Sequence, residues 1–406
     1  MTVRQQLIAA AEDMLHCVQT GSIRQAEGIA TLPTSIYSDP DNYAREQQRL
    51  FRRVPLMLAA SCEVPEPGRF KTLEVAQVPV LITRGKDGRV RTFLNSCTHR
   101  GARLADGCGH AQRFTCPYHA WSFGADGRLL AVASRQDFGE VDFAQQGLVE
   151  FPSTERAGLI WAILNPDAPP QFDAFLHGMD QMLAGFGFQD WSHFRTQSFQ
   201  GANWKLAFDA HMDFYHLPVL HRNTFGAQIS NLAQYYYIGP HQRLGLVNRE
   251  RHPLEMDDIA GLADLPQDEW PMNTLLFGEW IIFPNISINC FYKGGRGVII
   301  SQILPGPTVG ESTTVQIFLH ENPPVGAMIH EANDMADFLG RVVGEEDLPM
   351  SREQQKVMDT GLLPRVTLGR NEGGLQHFHA WIDRFLAAPE TASLDAIMAQ
   401  SVPDPS

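Results

Sequence analysis

Cys97-Thr98-His99 and Cys116-Pro117-Tyr118-His119, separated by sixteen residues, form a pair of short loops that each offer one thiolate and one imidazole. That donor set suits a 2Fe–2S cluster in which two Cys hold one iron and two His hold the other; imidazole ligation raises its potential above that of an all-Cys cluster. Two Cys and two His also suit tetrahedral zinc. Zinc fingers pair Cys with Cys and His with His, whereas each pair here mixes the two, which favours the cluster. Cys108 lies between the loops in Gly107-Cys108-Gly109 and reads as a free thiol.

Composition narrows the function classes. Thirty-two Lys and Arg against 46 Asp and Glu leave a net charge of −14, which argues against a nucleic-acid binder and against a surface drawn to anionic lipid. A hydrophobic share of 44% and a charged share of 19% describe a globular chain, and 406 residues suffice for two or three domains. Cys17, Cys62, Cys97, Cys108, Cys116 and Cys290 show no disulfide-framework spacing, so a reducing compartment is expected, with the cytoplasm as the default address. No apolar run of membrane-spanning length and no secretory h-region is seen.

Along the chain the hydrophobic period changes twice. Leu7, Ala11, Met14, Leu15 and Val18 predict an N-terminal helix, with a Thr2/Gln5 capping box and a stop at Gly21. Residues 22–45 read as an irregular arm. Leu56–Ala60, Phe70–Val75, Val78–Thr83 and Val90–Leu94 read as strands, with hairpin turns at Asp87-Gly88 and Asp126-Gly127. Asn165-Pro166-Asp167-Ala168-Pro169-Pro170 marks a boundary. Beyond it, helices are expected near 172–185, 203–217, 325–342, 348–360 and 380–386, and strands near 279–291, 296–304 and 312–320. The expected domains are an N-terminal helix and arm over 1–45, an all-β domain over 46–164, an α+β domain over 171–390 and a frayed tail over 391–406.

A second metal motif lies in the segment Ala210-His211-Met212-Asp213-Phe214-Tyr215-His216-Leu217-Pro218-Val219-Leu220-His221. Asp213 and His216 are three apart and would share a helix face. His216 and His221, five apart, would diverge on a straight helix, but Pro218 breaks it and lets His221 swing back. Two His with one carboxylate form the facial triad of non-haem Fe(II) oxygenases. Asp347, in Glu345-Glu346-Asp347-Leu348-Pro349, is the candidate third ligand, with Glu346 its rival by a one-residue register. Phe208, His211, Phe225, Leu232, Ile282, Ile286, Ile288, Asn289, Phe291 and Ile299 are candidates for a substrate pocket.

With Arg100-Gly101 after the first loop and Ala120-Trp121-Ser122-Phe123 after the second, the chain resembles the catalytic alpha subunits of the Rieske non-haem iron, aromatic-ring-hydroxylating oxygenases, from about Tyr43 to Leu386. Respiratory Rieske proteins carry an extra Cys in each loop; Ala102 and Tyr118 stand there, so no loop-to-loop disulfide forms. The family's Gly after the second His is Ala120 here. The resemblance implies an all-β Rieske 2Fe–2S domain held through Cys97, His99, Cys116 and His119, followed by a helix-grip (START/SRPBCC-like) α+β catalytic domain with Fe(II) on His216, His221 and Asp347. Gln355, near the second turn of the following helix, fits the family's pattern for the acid ligand.

The resemblance further implies a head-to-tail homotrimer or α3β3 assembly, in which Asp213 links His119 of a neighbouring subunit to its own His216. It implies a terminal oxygenase component that uses O2 and electrons from NAD(P)H through a reductase, with or without a ferredoxin, to cis-dihydroxylate or monooxygenate an aromatic or other apolar small molecule. No Gly-x-Gly-x-x-Gly follows a strand, so nicotinamide and flavin are expected on the reductase. The alternatives are an oxidative O- or N-demethylase of the same family and a Rieske electron carrier; a zinc-stabilised interaction protein is a third class.

Overall fold

Residues 2–247 and 259–399 are described by the structure, a computed structural model. They divide into two units: Phe51–Phe172 with Phe188–Asp190, and a second made of the chain up to Leu50, Asp173–Gly187 and everything from Trp191 onward.

The first unit is all β. A five-stranded antiparallel sheet runs in the order Glu150–Phe151, Val90–Leu94, Val78–Arg84, Arg69–Val75, Cys108–His110. Two three-stranded sheets accompany it: Ser153–Arg156, Leu159–Ala162, Leu56–Ala60, and Arg113–Thr115, Ser122–Gly124, Leu129–Ala131. Both expected hairpin turns are present. At Asp126-Gly127 the glycine is required twice over: its φ is 80°, and a Cβ would meet the Phe93 ring at 2.5 Å. Phe93, Phe114, Trp121, Phe123 and Leu129 form the core beneath the two Cys–His loops.

Those loops share one backbone design. Cys97 N–H donates to the Ala102 carbonyl and Gly101 N–H to Cys97; likewise Cys116 N–H donates to Trp121 and Ala120 N–H to Cys116. The fourth residue after each Cys is left-handed, Gly101 at φ 79° and Ala120 at φ 56°. A glycine takes that conformation freely, whereas the Ala120 Cβ is strained by roughly 1–2 kcal/mol. Buried Asn95 ties down the first loop: its side chain accepts from Leu104 and Ala105 N–H and donates to the Ala105 carbonyl.

The second unit is built on a seven-stranded antiparallel sheet in the order Ser192–Gly201, Ser312–His320, Gly297–Pro305, Ile286–Phe291, Glu279–Ile282, His241–Leu246, Ala233–Ile238. Three of these strands, the first and the last two, were outside the sequence expectation. Ser192–Gly201 is polar apart from Phe194 and Phe199 and none of its residues is fully buried, so no strong apolar alternation betrays it. The helix Gly373–Ala387 grips the unit, with Phe378 and Phe385 against Phe283 at ring separations of 5.7 and 5.5 Å.

The N-terminal helix Val3–Thr20 carries its Thr2/Gln5 capping box and its Gly21 stop, and packs within this unit. The arm that follows is ordered: Ala30–Pro33 pairs with Arg365–Leu368, and two short helices span Ser35–Ser38 and Pro40–Glu46. The tail also departs from the expected fraying, since Leu394–Met398 is a helix capped by Ser393 with Leu394 and Ile397 buried; residues 400–406 lie outside the described part.

The expected helix over 203–217 is shorter than its pattern suggested. Trp204–Asp209 is helical, residues 210–216 are turns, and Leu217–Leu220 is a separate short helix. Pro218 therefore does not break a helix; it starts one, in the first turn where a missing N–H costs nothing. Trp204–Asp209 is anchored by Asn203, whose side chain caps Lys205 N–H, and by a fully buried ion pair between Lys205 and Glu46 at 2.6 Å. Glu46 also accepts from Trp204 Nε1 at 2.8 Å and from Asn42 at 2.9 Å. Burial pushes the Lys205 pKa down, so the ammonium relies on Glu46 to stay charged.

Two outcomes follow. Glu46→Ala leaves a buried ammonium without its partner and should cost about 3–5 kcal/mol, read as a lower thermal midpoint; replacing both residues by Leu and Met should recover most of it. Ala120→Gly should stabilise by about 1 kcal/mol in the same measurement, because it removes the left-handed strain.

Candidate metal centres and adjoining cavity

In the first unit, Cys97 and Cys116 are buried and the His99 and His119 rings lie 4.7 Å apart. His99 is stacked on Trp121 at 4.9 Å and Tyr118 lies over His119 at 3.7 Å, so both imidazoles are held by aromatic neighbours. Burial pushes the Cys97 thiol up. For Cys116, burial acts in the same direction but is outweighed by the N–H groups of His119 and Tyr118 and by Cys97, so this thiol sits below its ordinary value. Burial, with His119 and Arg100 nearby, lowers His99 and favours its metal-binding neutral form.

The Nδ1 atoms of both His99 and His119 are buried and find no hydrogen-bond partner among the described residues. Orphaned imidazole nitrogens facing a pair of buried thiols are what a metal cluster would satisfy, and the residues fit a 2Fe–2S group. Cys108 is on an exposed strand, paired with Lys71, and takes no part.

In the second unit, His216, His221 and Asp347 come together. The two His Nε2 atoms are 3.2 Å apart, and Asp347 Oδ1 lies 3.6 Å from His216 Nε2 and 3.2 Å from His221 Nε2. Such spacings match adjacent ligands round one ion with bonds of about 2.1 Å. The chain between Leu217 and Leu220 makes one helical turn, which returns His221 beside His216. Asp347 arrives from the far end of the sequence, at the end of a π-helical insertion, Val342–Asp347, between the helices Ala327–Arg341 and Leu348–Asp359. The wide turn shifts the helical register and aims two successive acids at the histidine pair.

The acids take different places. Asp347 faces both Nε2 atoms, while Glu346 Oε2 lies 2.6 Å from His221 Nδ1, behind the ring, and also accepts from Thr224 at 3.1 Å. Asp213 Oδ2 stands 3.3 Å from His216 Nδ1 and its other oxygen accepts from Tyr215 N–H at 2.7 Å. Asp213 and His216 meet across turns and not on the helix face that their spacing suggested. Each imidazole thus has a carboxylate on its rear nitrogen, which sets the tautomer that leaves Nε2 free to bind a metal.

Burial alone would push His216 down, but Asp213 and Asp347 outweigh it and hold it up at about 9. Burial would raise Asp347, yet both histidines pull it below the usual carboxylate range. Its Oδ1 is buried and meets no hydrogen bond of good geometry, as expected of an atom reserved for an ion. Gln355 is buried and structural: it accepts from Asn203 N–H and donates to the Tyr37 carbonyl and Asp359.

The triad opens into a cavity of about 320 Å³. His211, Phe225, Asn289, Phe291 and Ile299 line it, but Phe208, Leu232, Ile282, Ile286 and Ile288 do not. Phe208 turns into the core against Phe378 at 5.3 Å. Strand alternation explains the isoleucines: Ser287, Asn289 and Phe291 face the cavity, so Ile286 and Ile288 face away, and Ile282 pairs with Ile286 on that same side. The sequence reading missed Glu279, which lines the cavity; an acid inside the run Leu275 to Ile282 was the available signal.

Comparison with known proteins agrees with the two kinds of domain. Residues 54–142 match the family described as "Rieske [2Fe-2S] domain", and residues 188–388 match "Ring hydroxylating alpha subunit (catalytic domain)". The glycine betaine monooxygenase oxygenase subunit of Chromohalobacter salexigens is 33% identical over 225 residues, covering 55% of this chain and 49% of that protein. The 2-aminobenzenesulfonate 2,3-dioxygenase subunit alpha of an Alcaligenes species is 24% identical over 85% of this chain and 89% of that protein. The chain spans about half the length of the glycine betaine enzyme. Among solved structures, the quaternary ammonium Rieske monooxygenase CntA with L-carnitine superposes at TM-score 0.73, with 20% identity, 87% of this chain and 95% of that chain covered. Naphthalene 1,2-dioxygenase from a Rhodococcus species bound to indole superposes at 0.72, with 20% identity, 96% and 99% covered. With a cluster-binding domain ahead of a catalytic domain that binds mononuclear iron, the chain belongs to the family of Rieske ring-hydroxylating oxygenase alpha subunits.

Proposed function

We propose that the chain is the terminal oxygenase component of a cytoplasmic multicomponent system, adding oxygen from O2 to a small, largely apolar molecule. The observation that carries this reading is the convergence of His216, His221 and Asp347 on the wall of a mostly apolar cavity, in a chain that also carries the Rieske loops. Cys97, His99, Cys116 and His119 hold the cluster, and His216, His221 and Asp347 hold the iron. When bound, the cluster supplies single electrons and the iron activates O2.

The remaining work falls to the chain's own side chains. Glu346 and Asp213 orient the two imidazoles through their rear nitrogens. Phe214, Phe225 and Phe338 line the cavity, exclude water and hold an apolar substrate beside the triad. Two electrons per turnover come from NAD(P)H through a separate reductase, with or without a ferredoxin; the substrate takes up one oxygen atom, the other leaving as water, or takes up both.

We infer further that subunits assemble head to tail, as a homotrimer or α3β3, so that His119 of one approaches Asp213 of the next. Tyr118 and Tyr215 support this: each is a large side chain exposed at 57%, one next to His119 and the other two residues after Asp213 in sequence. The names of the relatives span glycine betaine, biphenyl and aminobenzenesulfonate, so both monooxygenation (including demethylation) and cis-dihydroxylation are within reach of this metal arrangement.

The purified protein should be red-brown and carry about three irons per chain, two of them in the cluster. His216→Ala should keep the visible spectrum, drop the count to about two, and abolish O2-dependent product formation with a surrogate reductase; unchanged iron and turnover would refute the assignment. Asp213→Asn should keep both spectrum and iron but slow turnover by about 10–100-fold, because the imidazole loses its carboxylate partner. Rapid-reaction absorbance should show the cluster oxidising slowly in that variant.

A further inference from the structure

The cavity extends well beyond the triad. Its floor crosses five neighbouring strands of the sheet: Gln316, Ser301, Ser287, Glu279 and Leu244 each line it from a different one. At about 4.8 Å per strand, four intervals make a floor roughly 19 Å long. One end lies under Met335 and Phe338 of the helix Ala327–Arg341. The triad belongs to that end, because Phe225 stands between His221 and Phe338, at ring separations of 4.8 and 6.2 Å. At the far end the lining changes to Met14 and Val18, which come from the N-terminal helix Val3–Thr20.

Strand register explains how a helix on the opposite face of the sheet reaches this cavity. Leu244 pairs with Glu279, the first residue of its strand, so the ladder between these two strands ends there. Leu244 and Glu279 face the triad side, and Gly245 alternates to the other. Beyond the end of the ladder, Gly245, Leu246, Phe277 and Gly278 border the cavity. Met14 occupies the notch that the missing side chain of Gly245 leaves: a Cβ at that position would meet Met14 Sδ at 2.6 Å. The helix is also held by polar bonds along its length. Tyr236 Oη donates to the Asp13 carboxylate at 2.9 Å, Arg24 pairs with the same acid at 2.6 Å, and Arg4 donates to the Trp270 carbonyl at 3.0 Å. Met14 and Val18 are therefore presented to the cavity from a docked helix.

We propose that Met14 and Val18 set the length of substrate that this site accepts, so that selectivity is decided in part by a helix that precedes both metal-binding motifs in the chain. The proposal rests on the reading of the cavity as the substrate site. A molecule held at the triad lies along the floor with its distal end toward the N-terminal helix. Short molecules do not reach Met14 and Val18. Longer ones gain buried apolar surface with each added group until they meet the two side chains, and beyond that length they must displace them. Met14, unbranched and with three rotatable bonds, gives way gradually, whereas Val18 is stiff. Neither side chain takes part in the chemistry; both act as specificity determinants.

The test is binding, separate from turnover. Calorimetry on the cluster- and iron-loaded protein measures a series of 4-n-alkylphenols from methyl to octyl. Affinity should rise about fourfold with each added methylene, as expected for burying one, and then break at a limiting length. Met14→Ala should move the break to chains at least one carbon longer, and Val18→Phe should move it to shorter ones, with visible spectrum and iron content unchanged. A damaged fold would not shift the break in opposite directions. A break that stays in place in both variants, an affinity that climbs through octyl without a break, or no binding by any member at about 1 mM would each overturn the proposal. With a surrogate reductase, oxygenated product at an unmoved break would retain the oxygenase and discard the role of the helix; a moved break in a protein that forms no product would do the reverse.

Discussion

Two imidazoles and a carboxylate within 3.6 Å of one another stay together only if something behind each of them holds it. Most of the second unit can be understood from that constraint. Glu346 and Thr224 support His221, Asp213 supports His216, and the π-helical insertion presents Asp347. A carboxylate on each rear nitrogen fixes a tautomer and raises the basicity of the nitrogen in front. The arrangement is a pre-formed ligand set whose cost is met by hydrogen bonds and tight packing behind it.

Those supports need rigid footing. The helix Trp204–Asp209, which leads into the histidine segment, is pinned from below by the buried Lys205–Glu46 pair and by Asp209, which takes Tyr37 and His379 as partners. Glu46 and Tyr37 come from the arm, so a segment that looks like a linker in sequence is part of the foundation of the site. The register of the seven-stranded sheet does the rest. Because side chains alternate, one face of three neighbouring strands places Glu279, Ser287, Asn289, Phe291 and Ile299 toward the same cavity.

The two centres solve the same problem by different means. The cluster loops are local: each closes on itself through backbone hydrogen bonds, and a left-handed residue turns the chain so that Cys and His face the same way. Glycine makes that turn without strain in the first loop, and alanine bears it in the second. The proposed iron site is non-local, with its third donor more than a hundred residues from its first.

That difference separates what was legible from what was not. The donor loops, the hairpin turns, the capped first helix and the histidine pair could all be read from residue types and short spacings, since their chemistry is satisfied by near neighbours. The choice between Glu346 and Asp347 could not, because one extra residue in a helical turn rotates the register and no local pattern announces it. The strand Ser192–Gly201 and the inward or outward face of Ile282 and Ile288 depended on pairing with distant strands. Sequence by itself determined which ligands were available and the two kinds of domain that carry them. Tertiary structure decided which acid meets the histidines and which side chains face the cavity, because both are set by register, and register is fixed by long-range packing.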